Sequence, residues 1–164
     1  MEKFAQLGAD IVKLWSKYGT SHYLPGIRNT LILALVATLI GCIIGFAVGV
    51  VQTIPITKRD VLPKRIFLKA VKVILSAYVE IFRGTPMMVQ AMFIYYGSQS
   101  LFHINMSMWF AAYFIVSINT GAYMAETVRG GILSIDPGQT EGAKAIGMTH
   151  FQTMTSVILP QALR

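Results

Sequence analysis

Charge is scarce in this sequence. Asp, Glu, Lys and Arg together make up 13% of its 164 residues, roughly half the ~25% of an ordinary soluble domain. Hydrophobic residues reach 54%, which excludes intrinsic disorder, a state that needs low hydrophobicity and high charge. A single cysteine, Cys42, excludes a disulfide framework and a cysteine-based metal cluster. The histidines His22, His103 and His150 have no metal-ligand spacing. No G-x-x-x-x-G-K-[ST] loop occurs, so ATP binding by that route is excluded. No catalytic residue, metal or cofactor is expected on this chain. Acidic residues are the scarcer sign, 7 against 14 basic ones, for a net charge of +7. On so apolar a chain, the basic excess reads as cytoplasmic loops of a membrane protein.

What is present is long uncharged runs. None of the four charged residue types occurs from Asn29 to Thr57 or from Gly84 to Ala125. The first run holds one span over 30–51, close to the ~20 residues that a bilayer requires. The second is too long for one helix. Gly97-Ser98-Gln99-Ser100 and His103-Ile104-Asn105 break it into Pro86–Tyr96 and Ser107–Ala125, which with their flanks give spans over 86–100 and 107–128. The earlier piece is short, and borrows from the preceding helix or sits shielded in a discontinuous arrangement. The expected organisation is an amphipathic segment over 1–24, then an all-α transmembrane domain over 25–164. In the first segment Phe4, Leu7, Ile11, Trp15 and Tyr18 recur at spacings of three and four among lysines, as in an interfacial helix or a soluble surface helix. The N-terminal side carries four basic residues, Lys3, Lys13, Lys17 and Arg28. The other carries nine: Lys58, Arg59, Lys64, Arg65, Lys69, Lys72, Arg129, Lys144 and Arg164. That difference places the N-terminus outside the cell.

Ala37, Gly41, Gly45 and Gly49 fall four residues apart, forming a flat strip that admits another helix closely. An interfacial helix over 64–83, basic in its first half, ends at Glu80-Ile81-Phe82-Arg83-Gly84-Thr85-Pro86. Proline disfavours a helical residue before it and glycine frees the backbone, so a break falls near Gly84. Glu80 and Arg83 stand at i and i+3 and can pair. Such a pair at a break marks either an ion or substrate path or a structural clamp. Asn119, Tyr123 and Glu126 share one helical face, a candidate substrate pathway. For Glu126 the local alternatives are an ion pair with Arg129 and a place at the cytoplasmic interface.

A cytoplasmic loop over 132–160 follows. Asp136-Pro137-Gly138-Gln139 is a helix start. Glu141 and Lys144 at i, i+3 can pair along the helix, and Gly147 is a left-handed stop. Thr149-His150-Phe151-Gln152 repeats the capping-box spacing, and a second helix runs to Leu159, stopped by Pro160. The result is a compact elbow. A helix-turn-helix DNA reader has a similar outline but is excluded, because Thr149–Leu159 contains no Lys or Arg for phosphates.

Glu141-Gly142-Ala143, Gly147 and Ile158-Leu159-Pro160 resemble the EAA loop of membrane subunits in bacterial ABC importers. Glu80–Pro86, Ile94-Tyr95-Tyr96-Gly97, Ala125–Gly131 and Pro160–Arg164 are similar to the branch that imports polar amino acids. The resemblance implies a type I importer permease core, truncated after the coupling loop, which leaves the glycine strip without its partner helix. It also implies that Glu141, Gly142, Ala143, Gly147, Leu159 and Pro160 couple the chain to a separate ATPase carrying ATP and Mg. Further implied partners are a second permease subunit, alike or different, and an extracytoplasmic amino-acid-binding protein. The implied location is the cell membrane, with several passes. From a different class, a small channel or membrane scaffold would pair through the glycine strip and need no ATPase.

Overall fold

The computed structural model describes residues 2–56 and 61–162. Lys58, Arg59 and Arg164, which enter the charge comparison, lie outside them, as does Leu163 of the last motif. The described residues are helical, with no strand among them. The chain divides into two compact units, up to Val36 and from Ala37 onward.

In the first unit α1 (Glu2–Tyr18) passes through a π-helical turn (Gly19–Tyr23) into α2 (Leu24–Thr53), whose residues from Ala37 onward belong to the second unit. Phe4, Leu7, Ile11 and Trp15 are all exposed. At the turn, Trp15 and Tyr23 stack with centroids 6.4 Å apart. A Cβ on Gly19 would lie 3.0 Å from the Trp15 ring, so glycine leaves room for the indole. The widened turn has a covalent cause. Leu24 N–H donates back to the Gly19 carbonyl, and Pro25 follows. A proline offers no N–H and its ring collides with the carbonyl four residues back, which a π turn relieves. Helix α2 therefore begins before Thr30, the expected start of the first span. Among the described residues, one helical run, Gln6–Thr53, is long and apolar enough to cross a membrane.

The second unit is built around α5 (Met108–Leu133), against which α3 (Leu62–Gly84) and α4 (Met87–Phe102) pack. Ser107 caps α5, accepting from Phe110 N–H at 3.2 Å. Its buried face is made of small and medium residues, including Ala111, Ser117, Gly121, Ala122 and Ala125. The glycine strip of α2 meets that face. A Cβ on Gly45 would stand 2.5 Å from the Gly121 carbonyl, and one on Gly49 2.7 Å from the Ala125 carbonyl. The expectation that the strip lacks its partner is thus corrected: the partner is α5. For the same reason the strip is not open to a pairing scaffold. Tyr78 of α3 donates to the Ile118 carbonyl at 2.7 Å.

Two expected breaks are also corrected. Gly97–Ser100 do not end α4, which continues to Phe102. One helical glycine costs only ~1 kcal/mol, and Ser98 Oγ donates to the Tyr95 carbonyl. The stop comes from His103, in the left-handed region at φ 55°, with Ile104 N–H returning to the Ser98 carbonyl. Nor does Pro160 end the last helix. From α7 (His150–Thr153) the chain makes a second π turn (Met154–Ile158) and continues as α8 (Leu159–Ala162). Leu159 N–H donates to the Met154 carbonyl. Both π turns directly precede a Leu-Pro pair, and the same steric conflict accounts for both.

Candidate functional site: the helix break and the cytoplasmic elbow

Between α3 and α4 the chain makes the break that Gly84 foreshadows, with Thr85 and Pro86 both extended. An extended break leaves helix-end carbonyls without partners, and one side chain gathers them. Gln90 is buried. Its Nε2 donates to the Phe82 carbonyl at 2.9 Å, to the Thr85 carbonyl at 2.9 Å and to Thr85 Oγ1 at 2.8 Å. Its Oε1 accepts from Asn119 Nδ2 at 3.0 Å, and the same Asn119 amide reaches the Phe82 carbonyl at 3.3 Å. Asn119 therefore ties α5 to the break.

The other two members of the α5 polar face reach the same break. The Arg83 guanidinium lies 5.7 Å from the centre of the Tyr123 ring, a cation–π contact. Arg83 Nη1 stands 3.5 Å from Glu126 Oε2. Glu126 is held in bidentate fashion by Arg129, at 3.1 Å to Nε and 2.6 Å to Nη2. The expected Glu80–Arg83 pair is absent. Arg83 turns to Glu126 instead, because Glu126 lies on the packed neighbour α5 while Glu80 stays exposed. Asn119 and Thr85 thus meet through Gln90, while Tyr123 and Glu126 meet at Arg83. Sequence reasoning missed Gln90. Its signal was a lone amide in an apolar run, four residues beyond a helix-breaking proline.

The elbow starts at α6 (Pro137–Ala145). Asp136 caps it, accepting from Gly138 N–H at 2.6 Å. It ends in a complete Schellman arrangement. Gly147 has φ 84°, its N–H donates to the Lys144 carbonyl, and Met148 N–H donates to the Ala143 carbonyl. Thr149 and Gln152 then form a capping box at the start of α7. The underside packs on α5: Val128, Ile132 and Ile158 form a buried cluster, with Leu159 and Ala162 against it. Thr153, 1% exposed, donates to the Thr149 carbonyl. The six predicted coupling residues divide accordingly. Ala143 is buried and Leu159 half-buried, so they hold the elbow to its base. Glu141, Gly142, Gly147 and Pro160 are exposed. The expected Glu141–Lys144 pair is not formed. Both side chains instead border a cavity of about 340 Å³ beneath α6, and an exposed pair gains only ~0.3–0.5 kcal/mol in any case. The sequence reading also overlooked Ile146 and Phe151, which are 79% and 75% exposed on either side of Gly147.

Residues 64–164 match the family described as "binding-protein-dependent transport system inner membrane component", and the chain belongs to that family. It is 34% identical over 140 residues to a putative glutamine transport system permease protein of Rickettsia typhi, covering 85% of this chain and 59% of that protein. It is 33% identical over 145 residues to an arginine transport system permease protein of Bacillus subtilis, covering 88% and 63%. The fold matches a crystal structure of an amino acid ABC transporter with histidines at a TM-score of 0.66 and 36% identity, covering 82% of this chain and 56% of that one. The chain thus spans about three fifths of the length of these relatives.

Proposed function

We propose that this chain is the core of a permease subunit in an ATP-driven importer of polar amino acids. One observation carries the reading. The elbow is anchored underneath by Ala143, Thr153 and Ile158, and its outer face carries the Glu141 carboxylate, outside any ion pair among the described residues, with Ile146 and Phe151 exposed beside it. That arrangement needs a partner. The membership in a binding-protein-dependent family, and relatives named for glutamine and arginine transport, indicate which kind. The partner at the elbow is a separate ATPase, which binds and hydrolyses ATP with Mg. A second permease subunit, alike or different, completes the pathway, and an extracytoplasmic binding protein delivers substrate. The chain lies in the cell membrane with several passes and its N-terminus outside, in keeping with the four-to-nine division of basic residues.

Glu141 tests the reading. It is exposed and outside any ion pair among the described residues, so Glu141→Ala leaves insertion and folding intact. In the assembled transporter this variant loses substrate-stimulated ATP hydrolysis and retains less ATPase subunit on purification. Wild-type stimulation together with wild-type retention removes the coupling role. For topology, single cysteines at Ser100 and Lys58 in a Cys42-free variant are labelled on intact cells with an impermeant thiol reagent. Labelling at 100 and not at 58 is expected, and the reverse inverts the orientation.

A further inference from the structure

From Gln6 to Thr53 the chain forms one helical run of 48 residues, about 72 Å at ~1.5 Å per residue. The hydrocarbon core of a bilayer is ~30 Å thick, or ~40–45 Å with its headgroup layers. Helix α2 alone, with 30 residues, reaches about 45 Å and fills that thickness. Helix α1 therefore lies outside the core. Its residues are sorted by face. At about 100° per residue, Phe4, Leu7, Ile11, Leu14 and Trp15 fall within one arc, and Gln6, Asp10, Lys13 and Lys17 within another. All of them are exposed, so nothing among the described residues covers the apolar arc.

That arc does not stop at α1. Trp15 and Tyr23, stacked across the π turn, line an open groove of about 510 Å³ with Gly26, Ile27, Thr30 and Leu31 of α2. The polar side chains of this groove are already engaged. Thr30 donates to the Gly26 carbonyl at 2.9 Å, and His22 Nδ1 shares a hydrogen bond with Ser21 Oγ at 2.9 Å. Ile27 and Leu31 are exposed apolar residues of the membrane-crossing helix, where the neighbour is lipid. The apolar face of α1 is thus continuous with a lipid-facing surface. Between the two, Tyr18 leaves the helical region at φ −120°, ψ −10°, and a π turn is a place where helices kink. We propose that α1 lies in the water–lipid interface and anchors the start of the span. Its apolar arc rests on the acyl chains, with Trp15 and Tyr23 at headgroup level, the depth that such rings favour. Lys13 and Lys17, outside any ion pair among the described residues, reach the phosphates of anionic lipids, while Asp10 stays in water. The inference uses the chain's place in a membrane and does not depend on what it transports.

The test is spin-label accessibility in the assembled transporter, reconstituted in nanodiscs of phosphatidylcholine and phosphatidylglycerol so that both membrane faces meet the buffer. In a Cys42-free variant, single cysteines replace Gln6, Leu7, Ile11 or Lys13, and each carries a nitroxide. These side chains are exposed, so the labels leave packing intact. Oxygen concentrates in lipid, and a nickel chelate stays in water. Labels at 7 and 11 are expected to relax several-fold more with oxygen than with nickel, and labels at 6 and 13 the reverse. Lys13→Gln together with Lys17→Gln raises nickel access at 11 several-fold in discs that contain phosphatidylglycerol, as expected for lost attraction to an anionic surface. In discs of phosphatidylcholine alone the same pair of changes has little effect. Three results overturn the proposal. Nickel reaching all four labels places α1 in water. Labels at 7 and 11 shielded from both reagents show that a protein covers the face, a binding protein or another subunit included. An equal effect of the lysine changes in both kinds of disc removes the recognition of anionic lipid.

Discussion

Glycine does opposite work in the α2–α5 seam and in the elbow. At Gly41, Gly45 and Gly49 a Cβ would stand 2.5–2.9 Å from α5 atoms, backbone carbonyls among them. The missing side chain is what lets two helices approach to backbone contact, gaining van der Waals packing where lipid gives no hydrophobic drive. At Gly142 and Gly147 nothing lies within 4 Å of a built Cβ. Gly147 is there for its φ of 84°, and Gly142 meets open space. The seam is complete within this chain. The elbow has a packed underside against α5 and an exposed outer face, so its glycines serve the turn and not a helix contact within this chain.

The sharpest way to break this contrast is Gly45→Val, where the new side chain meets the Gly121 carbonyl and Met124 Cβ at 2.5 Å. Overpacking of this kind costs about 2–3 kcal/mol, so the melting temperature of the detergent-solubilised protein falls steeply. An unchanged melt would mean the seam is not close-packed. Next is Gln90→Leu, which strips the Thr85 carbonyl of its side-chain donor, leaves the Phe82 carbonyl to Asn119 alone and deprives Asn119 of its Gln90 acceptor. A loss of about 1–2 kcal/mol is expected from the broken hydrogen bonds of this part-buried network, read in the same melt. Gly147→Val follows, at about 1–2 kcal/mol for a β-branched residue in the left-handed region. Its effect stays local: the melt of α2–α5 is nearly unchanged while ATPase retention drops. Smallest, and opposite in sign, is Gly142→Ala. With open space around it, alanine raises stability by about 0.5–1 kcal/mol through helix propensity. Destabilisation there would show that Gly142 is packed after all.

Much of this could be read along the chain. The glycine strip, the break at Gly84, the Asp136 and Thr149 caps and the Gly147 stop depend on residues within one or two turns of each other, and local sterics decide them. Readings failed where a local signal met a compensation. Pro160 is a helix stop in isolation, but a π turn one step earlier absorbs its ring. Gly97 weakens a helix without ending it. The i, i+3 charge pairs at Glu80–Arg83 and Glu141–Lys144 were open on geometry alone, yet solvation makes such pairs weak, and a neighbour from another helix outcompeted the first.

The sequence by itself determined that this protein is helical, apolar enough to enter a membrane, and capped into a tight elbow after residue 136. Those properties follow from composition and from contacts a few residues apart. Only the tertiary structure decided which helix the glycine strip receives, that Gln90 gathers the open carbonyls of the break, and that Arg83 crosses to Glu126. The pairings that hold these features across helices join residues 29 or more positions apart, as with Gln90 and Asn119 or Arg83 and Glu126. No local preference encodes such a pairing. It is chosen when helices pack and every buried polar group must find a partner from whichever helix lies beside it.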